Sequence, residues 1–263
     1  MFNRIYIEIT NICNLNCDFC PSSKRVKKSM TKEEFESVIL KIKDYTNHIY
    51  LHVKGEPLMH KDLDSIIKIA NKYNLNVNIT TNARLLKDKL DIINNNKIRQ
   101  LNISLHSFND LNEIERILNT IDKIKDSYIY LRLWNNKDNS KIYDLLEKHY
   151  NNKINVINNR FKLANNIFLH IDKLFEWPDI NRKIISNYGT CKGGKEQLAI
   201  LVDGKVVPCC LDNDGIIELG NIFETDLKDI INSDRYKNIL NGFNNNKLVE
   251  DLCKKCGYRN RFN

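Results

Sequence analysis

Between Arg4 and Trp134 five short runs alternate apolar and polar residues one for one, and that alternation narrows the folds open to the chain. Ile5, Ile7 and Ile9 interleave with Tyr6, Glu8 and Thr10; Ile49, Leu51 and Val53 interleave with Tyr50, His52 and Lys54. Val77 and Ile79 sit among Asn76, Asn78, Thr80 and Asn82. Leu101, Ile103 and Leu105 interleave with Asn102, Ser104 and His106, and Ile129, Leu131 and Leu133 with Tyr130, Arg132 and Trp134. Segments of helical period separate these runs. Thr31 and Glu34 form a capping box ahead of an apolar face made of Phe35, Val38, Ile39, Ile42 and Tyr45. The same spacing recurs at Leu63, Ile66, Ile67, Ala70 and Tyr73, at Leu111, Ile114, Leu118 and Ile121, and at Ile142, Leu145 and Leu146. Strand followed by helix, repeated, predicts βαβ units and a parallel sheet with right-handed crossovers. A sixth strand is expected at Lys153–Ile157, giving six units, too few to close an eight-stranded barrel.

A parallel strand covered on both faces is nearly all apolar. Here one column alone is apolar, so helices cover one face and the polar column lines the other. A polar interior needs water or a ligand to satisfy it. The expected fold is therefore α/β, an open, partial (β/α)6 TIM-like barrel whose lumen is the active site. An antiparallel sheet with one wet face would alternate in the same way, but the intervening helical segments argue against it. Functional side chains then collect at the C-terminal ends of the strands.

The loop after the first strand carries Cys13, Cys17 and Cys20 at C-x3-C-x2-C spacing, with Phe19 directly before the last. Three thiolates on one loop can surround one metal centre, and they are one ligand short of a closed structural site. An open coordination position marks catalysis. The bland alternatives are three ordinary thiols or half of a zinc site. Eight cysteines in a chain that begins on a strand, with no signal-peptide pattern and no long apolar run, point to a cytoplasmic, reduced protein that uses thiols for metal.

The cysteine motif resembles the signature of the radical S-adenosylmethionine (radical SAM) superfamily. The resemblance implies that Cys13, Cys17 and Cys20 hold a four-iron four-sulfur cluster whose remaining iron binds S-adenosylmethionine. It implies that reductive cleavage of that cofactor gives a 5′-deoxyadenosyl radical, which takes hydrogen from a substrate. Lys54, Gly55, Glu56 and Pro57 resemble the family's Gly-Gly-Glu-Pro turn, with Lys54 in place of the first glycine. By the same resemblance Phe19, Gly55, Glu56, Pro57, Thr81, Asn82, Ser104, His106 and Arg132 contact the cofactor. His106 is the expected proton-transfer group, and Arg132 pairs with the methionyl carboxylate or with an anionic substrate. Glu8 and His52 are read as supporting polar residues.

Further along, Phe175, Glu176, Trp177 and Pro178 read as the close of a helix. Cys191, then a hairpin turning at Asp203 and Gly204, then Cys209 and a distant Cys253-x2-Cys256 make four ligands of a closed site, for zinc or an iron–sulfur cluster. The pattern C-x12-G-x4-C followed by C-x2-C resembles the auxiliary-cluster extension called SPASM, in its short twitch form. That resemblance gives Cys191, Cys209, Cys253 and Cys256 as ligands of one auxiliary cluster and leaves Cys210 over. It divides the chain into a radical SAM core (1–160), a connecting segment (161–190) and an auxiliary-cluster domain with a β-hairpin and helix (191–263). Four cysteines leave no open iron, so such a cluster relays electrons, as a net oxidation requires.

The implied activity is removal of hydrogen from an unactivated position of a small polar metabolite or a peptide, with a flavodoxin- or ferredoxin-type electron donor. Ribosomal-peptide maturases often carry a leader-binding domain ahead of the first strand, and its absence here tilts the expectation to a small molecule. The net charge of +8 weakly favours anionic partners. Lys24, Arg25, Lys27, Lys28, Lys254, Lys255, Arg259 and Arg261 surround the cysteines, and offsetting cluster charge is the stronger reading over nucleic acid. A non-catalytic zinc or electron-carrier module remains the rival class, which a polar lumen argues against.

Overall fold

The computed structural model describes residues 1–21, 23–155 and 159–261. The first part alternates as expected: β1 (Arg4–Ile7), α1 (Lys32–Ile42), β2 (His48–Tyr50), α2 (Leu63–Lys72), β3 (Asn76–Thr81), α3 (Leu90–Asn94), β4 (Ile98–Ser104), α4 (Leu111–Ile121), β5 (Tyr128–Trp134) and α5 (Ser140–Tyr150). There follow β6 (Arg160–Ala164), β7 (Ile167–Asp172), β8 (Gln197–Ile200), β9 (Lys205–Val207), β10 (Gly220–Asn221), α6 (Leu227–Ile230), α7 (Asp234–Asn244) and α8 (Asp251–Lys254). These strands form one sheet in the order β10-β9-β8-β1-β2-β3-β4-β5-β7-β6. Every pairing from β8 through β1 to β5 and on to β7 is parallel. The outermost pairings are antiparallel.

The apolar column packs under the helices. Ile5, Ile7, Ile49, Ile79, Leu101, Ile103, Leu131 and Leu133 are fully buried in one core with Phe35, Val38, Ile39, Ile66, Ile67 and Leu118. Each such side chain contributes about 1.5–3 kcal/mol of burial. Thr31 and Glu34 make the expected capping box of α1. Leu111 is a correction: at the first turn of α4 it is exposed. Val53 is another. It leaves the outer column and joins Tyr6, Ala199, Leu201 and Val207 in a small cluster, with Tyr50 and Cys210 against it.

The sixth parallel strand is β7, not Lys153–Ile157. Residues 153–155 are irregular, and 156–157 lie outside the described residues. β6 turns back along β7 as a hairpin at the sheet edge, where of its apolar positions only Leu163 and Leu169 are fully buried. Too few apolar positions alternate there to announce a strand. Residues 173–179 form no helix, and Phe175 instead packs on the rings of Trp177 and Tyr258. The hairpin around Asp203 and Gly204 is present, and its first strand, β8, extends the barrel sheet alongside β1.

The polar column divides by depth. Asn78 and Asn102 are fully buried and satisfy backbone carbonyls on their neighbours, Asn78 Nδ2 donating to Ile49 O at 3.0 Å and Asn102 Nδ2 to Ile79 O at 3.2 Å. Gln100 Nε2 and Arg99 then donate to their side-chain oxygens. That part of the interior needs no ligand. Nearer the strand ends, His52 Nδ1, Arg132 Nε and Trp134 Nε1 are sealed from solvent and have no partner.

Candidate active site

The cysteine loop is tied off at its base. Asn11 Nδ2 donates to Val26 O at 2.8 Å while its Oδ1 accepts from Lys28 N at 2.8 Å, and Thr10 bridges Ser29. The stretch between is held as a closed loop that presents Cys13 and Cys20 exposed and Cys17 half-buried. Burial raises the Cys13 and Cys17 thiols, and the neighbouring thiols raise them further. Three mutually repelling sulfurs are what a cationic iron core would neutralise.

A single carboxylate organises the surroundings. Glu8, with no exposed surface, accepts both terminal nitrogens of Arg25 at 2.7 and 2.6 Å. It also accepts Lys54 N at 3.0 Å and Val202 N at 3.0 Å. Arg25 Nε donates on to Asn213 O at 2.7 Å, and Ser23 Oγ to Asp214 at 2.6 Å. One side chain thereby fixes the cysteine loop, the turn after β2 and the segment after β8. Sequence reading put Arg25 among cluster-balancing cations, yet its guanidinium is committed to Glu8.

Gly55 has φ +77°, and a Cβ there would stand 2.3 Å from Thr10 O. Only glycine lets this turn lie so close to the start of the cysteine loop. The Lys54 ammonium donates to Cys20 Sγ at 2.9 Å and to the Pro21 carbonyl. Glu56 N donates to Ile12 O at 2.9 Å, while the buried Glu56 carboxylate accepts from Thr81 Oγ1 at 2.6 Å, Asn82 N at 2.7 Å and Leu58 N at 3.0 Å. Burial raises its pKa against those three bonds. Pro57 starts the short helical turn that this carboxylate caps. Asn82 Nδ2 reaches Asn14 Oδ1 at 2.8 Å, so Thr81 and Asn82 tie the end of β3 to the turn and the loop.

Phe19 meets the His106 ring edge-on at 4.8 Å between centroids. His106 Nδ1 lies 3.1 Å from Arg132 O and 3.4 Å from Trp134 N; in the tautomer that protonates Nδ1 it donates to the carbonyl and Nε2 is the acceptor, and burial lowers the pKa of the ring. Ser104 is half-buried at the end of β4, and its carbonyl accepts from Ser107 Oγ. Arg132 is half-buried beside the Trp134 ring at 4.8 Å. Burial, with the Arg132 charge beside it, lowers His52 to about 3, and burial likewise lowers His170 to about 4. Both imidazoles are neutral at pH 7. Arg84 was missed: it stacks on Phe108 at 4.1 Å and pairs with Glu113, its Nε is buried without a partner, and its charge is felt at Cys17. The only sequence cue was its place two residues after the Thr81–Asn82 pair.

The second cysteine group behaves differently. Cys191, Cys209, Cys253 and Cys256 all line one open-sided cavity, walled by Pro208, Phe243 and Leu252. Burial raises all four thiols, Cys209 and Cys253 well above the ordinary range. Arg259, at the same wall, has a buried Nε without a partner. Four thiols and an unpaired donor around one space suit a thiolate-ligated cluster, anionic as a whole, with sulfide at its corners. Among the described residues no three His, Cys, Asp or Glu side chains converge closely enough for a single metal ion. A four-iron cluster takes a wider spread of ligands. Cys210 does not line the cavity: it packs with the Tyr6 cluster, hydrogen-bonds Tyr6, and is pushed by burial to about 11.

Residues 7–160 match the family model described as Radical SAM superfamily, and residues 191–257 match SPASM, described as an iron-sulfur cluster-binding domain. A relative from Niallia circulans, named S-adenosyl-L-methionine-dependent 2-deoxy-scyllo-inosamine dehydrogenase, is 24% identical over 97% of this chain and 93% of its own. The crystal structure of BtrN in complex with AdoMet and 2-DOIA superposes with a TM-score of 0.68 at 19% identity, over 97% of this chain and 93% of that one. Streptococcus suis SuiB bound to precursor peptide SuiA superposes with a TM-score of 0.65 at 18% identity, over 97% and 70%. Among the described residues no helix is long and apolar enough to cross a membrane.

Proposed function

Because the chain belongs to the radical SAM superfamily and carries an iron-sulfur cluster-binding domain, we propose that it is an enzyme that oxidises a C–H position of a small polar molecule. When bound, S-adenosylmethionine and its cluster supply a 5′-deoxyadenosyl radical that removes a hydrogen atom, and the auxiliary cluster supplies a place for the electron left behind.

The residues divide that work. Cys13, Cys17 and Cys20 would hold the catalytic cluster and leave one iron for the cofactor. Cys191, Cys209, Cys253 and Cys256 would hold the auxiliary cluster and leave none. Gly55, Glu56 and Pro57 offer backbone groups beside the cysteine loop, and Thr81 and Asn82 brace them. Phe19 and Ser104 border the same space. His106, its Nδ1 proton held by the Arg132 carbonyl, is the base that accepts a proton at Nε2 when the substrate loses its electron. The core at 1–160, the segment at 161–190 that supplies the sixth parallel strand β7, and the auxiliary domain at 191–263 would then meet around one lumen. An external one-electron donor of the flavodoxin or ferredoxin class would reduce the catalytic cluster.

The observation that carries this reading is the pair of thiol groups, three on one loop at the strand ends with two of them exposed, and four around one cavity, with unsatisfied polar groups in the lumen. A small-molecule substrate is favoured by the relative whose name states one and which aligns over nearly the full length of both chains. Anaerobic reconstitution with iron and sulfide tests it. Dithionite and S-adenosylmethionine should yield 5′-deoxyadenosine; a colourless, zinc-loaded protein that yields none sinks the reading.

A further inference from the structure

Arg132 stands on the inward column of β5, paired in register with Ser104 on β4 and His170 on β7. Its charge is felt at His52, His170 and Cys210. The cationic side chains felt at Cys13 and Cys17 are instead Lys54 and Arg84. The guanidinium is also felt at His106, whose ring meets Phe19, and it stands between that residue and the part of the lumen that Cys210 and Tyr258 border.

Among the described residues no carboxylate pairs with it. The acidic side chains that end or follow β1, β2 and β7 are engaged elsewhere: Glu8 by Arg25, Glu56 by Thr81 and Asn82, and Asp172 by Arg261. Arg132 Nε, His52 Nδ1 and Trp134 Nε1 are all sealed without partners. Each such group costs about 1–3 kcal/mol unless something binds it. Three in one lumen mark where a ligand's polar atoms belong, acceptors facing Arg132 Nε and Trp134 Nε1. Tyr6, Tyr50 and Trp134 supply flat apolar faces beside them.

We propose that the substrate carries a carboxylate and that Arg132 receives it. His52 and Trp134 bond the substrate's remaining polar atoms, and its body lies against Tyr6 and Tyr50. One guanidinium balances one negative charge, which suits a carboxylate better than a phosphate dianion. The proposal rests on the enzyme reading above and separates this chain from its Niallia circulans relative, whose named substrate is an inosamine, an amine. A lone guanidinium repels an ammonium group.

Equilibrium dialysis of the reconstituted, S-adenosylmethionine-bound protein tests this with two probes of similar shape, 4-hydroxyphenylacetate and tyramine. The acid should be retained at least about tenfold more tightly than the amine, as a charge-assisted pair requires. Arg132→Met should erase that preference, Arg132→Lys keep part of it, and Trp134→Phe weaken acid binding by less. Equal retention of acid and amine by the unaltered protein overturns the proposal. So does an Arg132→Met protein that binds the acid as before, or one that loses S-adenosylmethionine while still preferring the acid, since Arg132 would then hold the methionyl carboxylate. Acid preference in a protein that forms no 5′-deoxyadenosine would leave the anion site standing and fell the enzyme reading alone.

Discussion

The two cysteine groups are built in opposite ways. Cys13, Cys17 and Cys20 sit on one short loop, two of them exposed, and the scaffold reaches them through hydrogen bonds from Asn11, Lys54 and Asn82. Cys191, Cys209, Cys253 and Cys256 come from three separated segments and are enclosed by Pro208, Phe243 and Leu252. The first arrangement leaves room for a ligand to come and go at every turnover. The second, with four thiols from three segments around one space, would leave no coordination position free and would tie a bound cluster to the fold. Openness and enclosure thus predict different consequences when a sulfur is removed.

The largest effect is expected from Cys17→Ala. Formation of 5′-deoxyadenosine, followed by chromatography, should fall by about a hundredfold or more, while about half the iron stays bound in the second cavity. Cys253→Ala should do the reverse, losing the auxiliary iron and lowering the unfolding midpoint, with cofactor cleavage reduced but present. Cys210→Ala should keep all of its iron. If Cys210→Ala instead loses iron as Cys253→Ala does, the assignment of the enclosed site is wrong.

Next comes the carboxylate that joins the two regions. Glu8→Gln strands the Arg25 guanidinium in a nearly closed space, and should cost about 3–5 kcal/mol in denaturant unfolding. Replacing Glu8 and Arg25 together by apolar residues should cost less than the single change. Strict additivity would mean that the pair is incidental.

Much of this comparison was legible in the sequence, because it rests on local spacing. The cysteine intervals, the capping box at Thr31 and the alternation in β1 to β5 are short-range patterns, and each is present in the fold. What was hidden is long-range or weakly apolar. The sixth strand has few buried residues to betray it, and the turn of its hairpin is only the Asn165–Asn166 pair. No local pattern pairs β8 with β1, or Glu8 with Val202 across 194 positions. Arg84 looks like an ordinary surface cation until the loop folds back on it.

The lumen gives a smaller, pH-dependent effect. His52 is neutral when folded down to about pH 3, whereas its unfolded pKa is near 6.5. Above 6.5 neither state is protonated and its contribution is complete. Between 6.5 and 3 the unfolded chain gains a proton that the folded one refuses, so stability falls by about 1.4 kcal/mol for each pH unit. His52→Phe should flatten this part of the acid-unfolding curve, leaving the similar but shorter contribution of His170, which extends to about pH 4. An unchanged curve would mean that His52 is already solvated.

Smallest is Lys54→Gly, which restores the glycine that the turn resembles. Removing the ammonium's bonds to Cys20 Sγ and to the Pro21 carbonyl should slow cofactor cleavage by about tenfold or less. Iron bound at the enclosed site should not change. A larger loss would make Lys54 a requirement of the open site.

Because β8 runs as a rung beside β1, the strand that launches one cysteine loop is bonded edge to edge with the strand that leads to Cys209. The interval between the two cysteine groups is then set by the spacing of a hydrogen-bonded ladder, and not by a hinge. Loops at the mouth are free to diverge and admit new molecules while that interval stays constant, so chemistry and substrate choice can evolve at separate rates.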